Sequence, residues 1–253
     1  MQTEVAEIAA GVYRFSTYVA EADFMFNQFL LDAEEPMLFH AGPRRMFPLV
    51  AAAFATVRPV EELRWVAFGH VEADECGAMN EWLAVAPNAQ VVHSRVGCMV
   101  SVDDLADRTP RPLDDGEVLD LGGRRVRHLA TPHVPHGWDA CLYYDETTGT
   151  LLCGDLFTAV GDSKPLVGSE LLAPAIAAED LFAATCLTPS TGRTLRRLGD
   201  LAPTTLALMH GPTYAGDGAE QLRGLADAYD ERLAAAGPVL HAPVQRPEAA
   251  RIN

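Results

Sequence analysis

The 253-residue chain has no Cys-x-x-Cys pair, no long apolar run, no basic leader and no surplus of positive charge, and each lack removes a class of protein. Its five cysteines (Cys76, Cys98, Cys141, Cys153 and Cys186) are odd in number and scattered. That pattern suits neither a disulfide framework nor a zinc ribbon, so they read as small core residues and the cytoplasm as the expected compartment. The longest apolar stretch, residues 49–57, is alanine-rich and far short of the roughly 20 residues that span a bilayer, so no membrane contact is expected. Met1-Gln2-Thr3-Glu4 puts no basic segment ahead of an apolar one, so no secretory signal is expected. Nineteen basic side chains face 35 acidic ones, and a net charge of −16 disfavours nucleic acid and anionic membranes as partners.

No repeat with a period of roughly 20 to 50 residues and no low-complexity tract divides the chain. With 49% apolar and 21% charged residues it can bury a sizeable core. One domain over 1–253 is expected, with 238–253 a loosely held tail. Short strands are predicted at 12–15 and 26–31, followed by an apolar run at 36–42 closed by Gly42, and a helix at 47–56. Strands and helices then interleave: a strand at 65–69, a helix at 75–86, a strand at 90–92. Further strands are predicted at 118–121, 126–130, 140–144 and 150–153, with Thr147-Thr148-Gly149 turning the last pair. Helices take parts of 171–186 and 191–200, and 206–209 is a last strand. Ala219, Leu222, Ala226, Tyr229 and Leu233 share a helical face that Gly237 stops. The pattern is layered α/β with mixed sheets.

Three apolar strands end on a metal-capable residue: Val66-Ala67-Phe68-Gly69-His70, Leu151-Leu152-Cys153-Gly154-Asp155 and Leu206-Ala207-Leu208-Met209-His210. Strand carboxyl ends are where α/β proteins place their sites. His136 is a fourth candidate, in a Pro- and Gly-containing stretch, 131–139, that excludes regular structure; His133 competes with it. In His70-Val71-Glu72-Ala73-Asp74 an extended backbone would set all three ligand-type side chains on one side, roughly 7 Å apart, whereas a helix would turn Glu72 about 200° from His70.

His70-x-Glu72-x-Asp74 with distant His136, Asp155 and His210, in that order, resembles the metallo-β-lactamase superfamily, whose usual segment is H-x-H-x-D-H. Glutamate in the second slot resembles the flavodiiron branch, the oxygen-binding diiron proteins, as do His136-Gly137-Trp138-Asp139 and the gap of 19 residues from His136 to Asp155. The resemblance covers about residues 10 to 235. It implies a four-layer αββα sandwich with two mixed β-sheets. It also implies that His70, Glu72 and His136 hold one metal, Asp74 and His210 the other, and that Asp155 bridges them. Two positions depart from the pattern. The histidine expected after the aspartate is Glu75, which either joins the second metal or is a helix-start acid favoured by the dipole. His40 stands where an aspartate often supports the site. Asp139 is a candidate to orient a ligand histidine, and His133 to face a bound ligand or supply protons. His93, His128 and His241 read as ordinary surface or strand residues, and Tyr214 as pocket or packing.

Carboxylates mixed with three imidazoles are hard donors, so two iron ions with a bridging oxo or hydroxo group are expected, zinc or manganese being the alternatives. The resemblance implies binding, and reduction or sensing, of dioxygen, nitric oxide or peroxide. No Gly-rich flavin or dinucleotide motif is present, so no flavin is expected here and a separate electron-donor protein would supply reductant. A homo-oligomer is allowed. A diiron oxygenase with an organic substrate is a variant, since residues 156–200 are apolar enough to wall a pocket, although Leu166, Leu171, Leu172 and Ile176 equally suit core or a dimer face. The competing class is a binuclear hydrolase of a lactone, thioester or phosphodiester using a bridging hydroxide. Glu72 argues against it, because an added anion weakens each metal as a Lewis acid.

Overall fold

Alternation of side chains along the strands sets up the layers, because neighbours in a strand face opposite sides of a sheet. A computed structural model describes residues 1–237; the expected tail at 238–253, and His241 with it, lies outside the described residues. The first sheet runs in chain order: β1 (Thr3–Ala9), β2 (Val12–Val19), β3 (Phe24–Leu31), β4 (Met37–Phe39), β5 (Trp65–Ala67), β6 (Gln90–Ser94) and β7 (Arg111–Leu113). The second contains β8 (Val118–Asp120), β9 (Arg125–Ala130), β10 (Cys141–Asp145), β11 (Thr150–Leu152), β12 (Leu166–Val167), β13 (Thr205–Ala207) and β14 (Thr213–Ala215), in the spatial order β12-β14-β13-β11-β10-β9-β8. Both sheets are mixed: β4 to β7 pair in parallel after an antiparallel start, and β11 pairs in parallel with β13.

Phe29, Met37, Phe39, Trp65 and Ala67 of the first sheet meet Val126, Tyr143, Leu152 and Ala207 of the second in one apolar layer. The alternate residues Phe15, Leu30, Leu38, Val66 and Val91 face outward, under Val50 and Phe54 of α1 (Phe47–Phe54) and Trp82 of the helix that follows β5. On the far side Leu151, Leu206 and Leu208 pack beneath helices. The result is the αββα four-layer sandwich, and the two odd-even faces of each strand are its physical cause.

Two expected elements differ in form. The helix expected at 75–86 is two pieces, α2 (Ala73–Cys76) and α3 (Met79–Val85), broken where the Ala78 N–H donates to the Gly42 carbonyl instead of continuing a helical ladder. The extended segment expected over 70–74 stops at Glu72, whose φ of −137° and ψ of 153° are extended, and Asp74 already sits in the first turn of α2. The β6–β7 connection, missed in the sequence, is a run of short helical turns, α4 (Arg95–Gly97), a π turn (Cys98–Val102) and α5 (Asp103–Leu105). Helices α6 (Leu172–Phe182), α7 (Thr191–Gly199) and α8 (Gly218–Ala236) fall where the periodicity puts them. Asp217 caps α8 by accepting from the Glu220 N–H at 2.9 Å, and Gly237 follows it with φ +66°. His93 and His128 are strand residues, but fully buried ones, the ring of His93 packing on Phe68 and that of His128 edge-on to Tyr143. Four cysteines are buried and Cys186 is exposed. No helix among the described residues is long and apolar enough to cross a membrane.

Candidate metal centre

Three strands deliver their terminal residues to one rim: β5 leads to His70, β11 to Asp155 and β13 to His210, while the irregular β9–β10 connection supplies His136. One ligand atom each from His70, Glu72, His136 and Asp155 lies within 4.8 Å of all the others. Glu72 Oε2 is 2.8 Å from His70 Nε2 and 3.1 Å from His136 Nε2. The carboxylate of Asp155 is divided. Its Oδ2 faces this first group, 3.7 Å from His70 Nε2 and 3.5 Å from His136 Nε2. Its Oδ1 faces His210 Nε2 at 3.4 Å, and the same nitrogen is 3.3 Å from Asp74 Oδ2.

The first sheet holds the second sheet's histidine in place. His210 Nδ1 donates to the Met25 carbonyl at 2.7 Å, which leaves Nε2 to face the carboxylates. Asn27 Nδ2 donates to the carbonyls of Leu208 and Gly211, at 2.8 and 2.9 Å, clamping the chain on both sides of His210. Buried Arg14 adds a bond to the Gly211 carbonyl at 2.9 Å; burial lowers its pKa to about 10, so it stays charged at neutral pH. Phe24 packs on the ring with centroids 4.3 Å apart. None of these helpers was legible in the sequence: Met25 acts through its backbone, and Asn27 and Arg14 lie nearly 200 residues away along the chain.

Glu75 is turned away from the other six. The first turn of α2 points it inward under β5, where it is fully buried and its Oε2 accepts from the N–H groups of Gly69 and His70 at 2.5 and 2.8 Å. Its Oε1 lies 3.2 Å from His70 Nδ1 and 3.4 Å from His40 Nε2. Thus it neither joins the His210 group nor caps an exposed helix start. A Cβ at position 69 would come 3.1 Å from Glu75 Oε2, so glycine is what allows the close approach. His40 lies behind Glu75, and burial pushes its pKa down against the pull of that carboxylate. Asp139 is buried and its Oδ2 accepts from the Val71 N–H at 3.0 Å. It therefore pins the backbone between His70 and Glu72 and does not orient a histidine ring. His133 is exposed, with φ +66°, and does not line the cavity over the site. Tyr214 packs in the outer core of the second sheet.

The donor set fits a pair of metal ions. Asp155 Oδ1, on the His210 side of the cluster, is buried without a hydrogen-bond partner, and no lysine or arginine lines the cavity over the cluster among the described residues. Without a cation the imidazoles must balance the carboxylates. Burial opposes the charged form of His70, but Glu75, Glu72 and Asp155 outweigh it and push the pKa up to about 12. Likewise burial opposes the charging of His210, and Asp155 and Asp74 push it up to about 10. Hydrogen bonding to Glu72 raises His136. Glu72 falls well below the usual carboxylate range through its bonds to His136 and His70.

These shifts have a sign. Raised histidines stabilise the metal-free fold fully below their ordinary value of 6.5, and that contribution is lost as pH climbs towards about 10 for His210 and about 12 for His70. The chelated protein should therefore melt at progressively lower temperature from pH 6.5 upward, while metal affinity rises over the same range because binding displaces protons. Calorimetry with and without chelator checks it; a melting temperature that rises with pH in chelator would contradict it.

A cavity of about 350 Å³ opens over the cluster, floored by Glu72, Asp74, His136, Asp155 and His210 and walled by α6. On the other flank a broader cleft of about 700 Å³ reaches Glu72 and Asp74 past Arg44 and Arg45.

Fold and site together define a metallo-β-lactamase-type sandwich with a carboxylate-rich cluster of metal-capable side chains at one rim. The sequence profile described as ODP family beta lactamase matches residues 24–191, more than half of the chain, and the chain belongs to that family, the flavodiiron branch of the superfamily. The protein named diflavin flavoprotein A 1 of Thermosynechococcus vestitus is 31% identical over 214 residues, 77% of this chain and 35% of that protein. Its namesake in Nostoc sp. is 27% identical over 197 residues, 74% of this chain and 33% of that protein. The chain thus spans about a third of the length of these relatives. Among solved structures, the metal-soaked Flv1 flavodiiron core of Synechocystis sp. superposes with a TM-score of 0.72 at 22% identity, over 92% of this chain and 61% of that one. Rubredoxin oxygen:oxidoreductase of Desulfovibrio gigas gives 0.73 at 17% identity, over 90% and 61%.

Proposed function

We propose that the cluster holds two iron ions and that the protein is a diiron oxidoreductase acting on dioxygen or nitric oxide, with electrons delivered by a redox partner. The observation that carries this reading is the divided carboxylate of Asp155, with Glu72 in place of a histidine beside it. His70, Glu72 and His136 would hold one ion, Asp74 and His210 the other, with one oxygen of Asp155 for each. When bound, a pair of irons supplies a place for a diatomic molecule and the electrons to reduce it. The chain's part is to set the charge and the shape. Three carboxylates against three imidazoles favour the more highly charged, harder ion, and Glu75 with the Met25 carbonyl holds two imidazoles at fixed tautomer. The Arg44–Arg45 cleft offers a redox partner a route to the cluster that the α6 wall leaves open.

The test is metal content after expression with balanced iron, zinc and manganese. About two irons per chain and a visible absorbance that changes on adding dioxygen or nitric oxide are expected. Glu72→His should shift occupancy toward zinc and weaken the gas response. A colourless dizinc protein that turns over esters or phosphodiesters would make it a hydrolase instead.

A further inference from the structure

The cavity over the cluster is far larger than a diatomic gas requires. Its 350 Å³ compares with about 10–15 Å³ needed for one water and falls within the roughly 300–1,000 Å³ of small-molecule sites. Phe24, Pro135, Ala175, Ala178 and Phe182 form an apolar wall, and away from the cluster it carries Glu179, Thr185 and Tyr229.

The polar groups of this wall are all acceptors toward the cavity. A carboxylate only accepts, so Thr185 Oγ1 donates to Glu179 Oε2 at 2.7 Å, and Tyr229, 3.0 Å from Thr185 Oγ1, must in turn donate to it. Burial pushes the Tyr229 phenol up to about 12, so it keeps the proton it donates. Thr158 Oγ1 donates to the Asp155 carbonyl at 2.7 Å. Each hydroxyl proton is thereby spent within the protein. Glu179 receives Thr185 Oγ1 and its N–H, forms no ion pair among the described residues, and retains free lone pairs. An acceptor-only wall with one uncompensated carboxylate selects a donor, and a cation before a neutral one.

We propose that this cavity binds a small organic amine, its ammonium on Glu179, its apolar body against α6, and an oxygen-bearing end toward the metal cluster. The inference rests on the diiron reading for that last end only. A neutral analogue of the same shape leaves Glu179 unpaired, and a carboxylate at that end is repelled by it, with no arginine or lysine in the lining among the described residues.

Tyramine is a suitable probe, with 4-ethylphenol as its neutral counterpart of the same ring and phenol. The metal-loaded full chain is titrated with each by calorimetry, and the visible spectrum is followed in parallel. Saturable one-to-one binding of tyramine is expected, with 4-ethylphenol at least about tenfold weaker. Glu179→Gln should weaken tyramine by about 10- to 100-fold at unchanged metal content, the range for a lost charge-assisted bond. Ala178→Met, which narrows the cavity without touching the carboxylate, should weaken it too. Equal binding of tyramine and 4-ethylphenol, no saturable binding, or Glu179→Gln binding like the parent would each overturn the inference. A chain that loads no metal pair overturns the diiron reading as well; one that loads iron and responds to gas but ignores tyramine overturns only this proposal.

Discussion

Replacing Asp155 with alanine is expected to abolish binding of both metal ions and leave the metal-free fold intact. Every other residue of the cluster faces one group only, whereas Asp155 presents Oδ2 to His70 and His136 and Oδ1 to His210. Changing a group that merely supports a ligand costs about 10- to 100-fold in affinity, so losing the shared carboxylate should exceed that for both ions. The metal-free fold should survive with a modest loss of stability at neutral pH, because Asp155 is one of the carboxylates that hold His70 and His210 charged, although its own Oδ1 has no hydrogen-bond partner. The measurements are metal per chain after dialysis and the melting temperature in chelator. Retention of one full equivalent of metal would show that the two halves are independent and that Asp155 does not join them.

Glu75→Ala should act in the opposite order, on the fold first and the metal second. The carboxylate is fully buried and answers two backbone N–H groups and the ring of His70. Burial works against its charge, yet the neighbouring imidazoles and the His70 N–H hold its pKa below the usual carboxylate range. Removing it strands both N–H donors and a buried imidazole, and such losses cost about 3–5 kcal/mol. Denaturant unfolding of the chelated protein should show a fall of that order. Glu75→Gln keeps one acceptor oxygen and should lose less stability, while metal affinity still drops by about 10- to 100-fold because His70 is no longer held by a charge. Wild-type stability in Glu75→Ala would mean that its bonds are incidental.

The legible part of this protein is local. Short apolar runs such as 65–67 and 150–152 mark strands whose two faces are both buried, and residues that end such strands stand at a rim by construction. The illegible elements are those whose pattern is weak. β1 buries little besides Ile8 at the edge of its sheet, β12 has two residues, and the turns over 95–105 have no single periodic face.

Glu75 shows where sequence reasoning ends. Its position after His70-x-Glu72-x-Asp74 is compatible with a ligand or with a solvated helix start, and it is neither. A four-residue helix begins one step after Glu72 and is too short for propensity to announce. The His210 support is of the same kind, since its partners are a backbone carbonyl at Met25 and side chains on two strands of the other sheet.

By itself the sequence determined which residues end strands and the layered α/β pattern with mixed sheets, and its likeness to a known family supplied the αββα order and the set of six metal-capable side chains, because apolar runs, motif spacing and residue chemistry are properties of short segments. Only the tertiary structure decided that Asp155 divides its oxygens between two groups, that Glu75 lies beneath His70, and that α6 walls an acceptor-lined cavity. Those are relations between segments far apart in the chain, and only packing sets the distances across which they act.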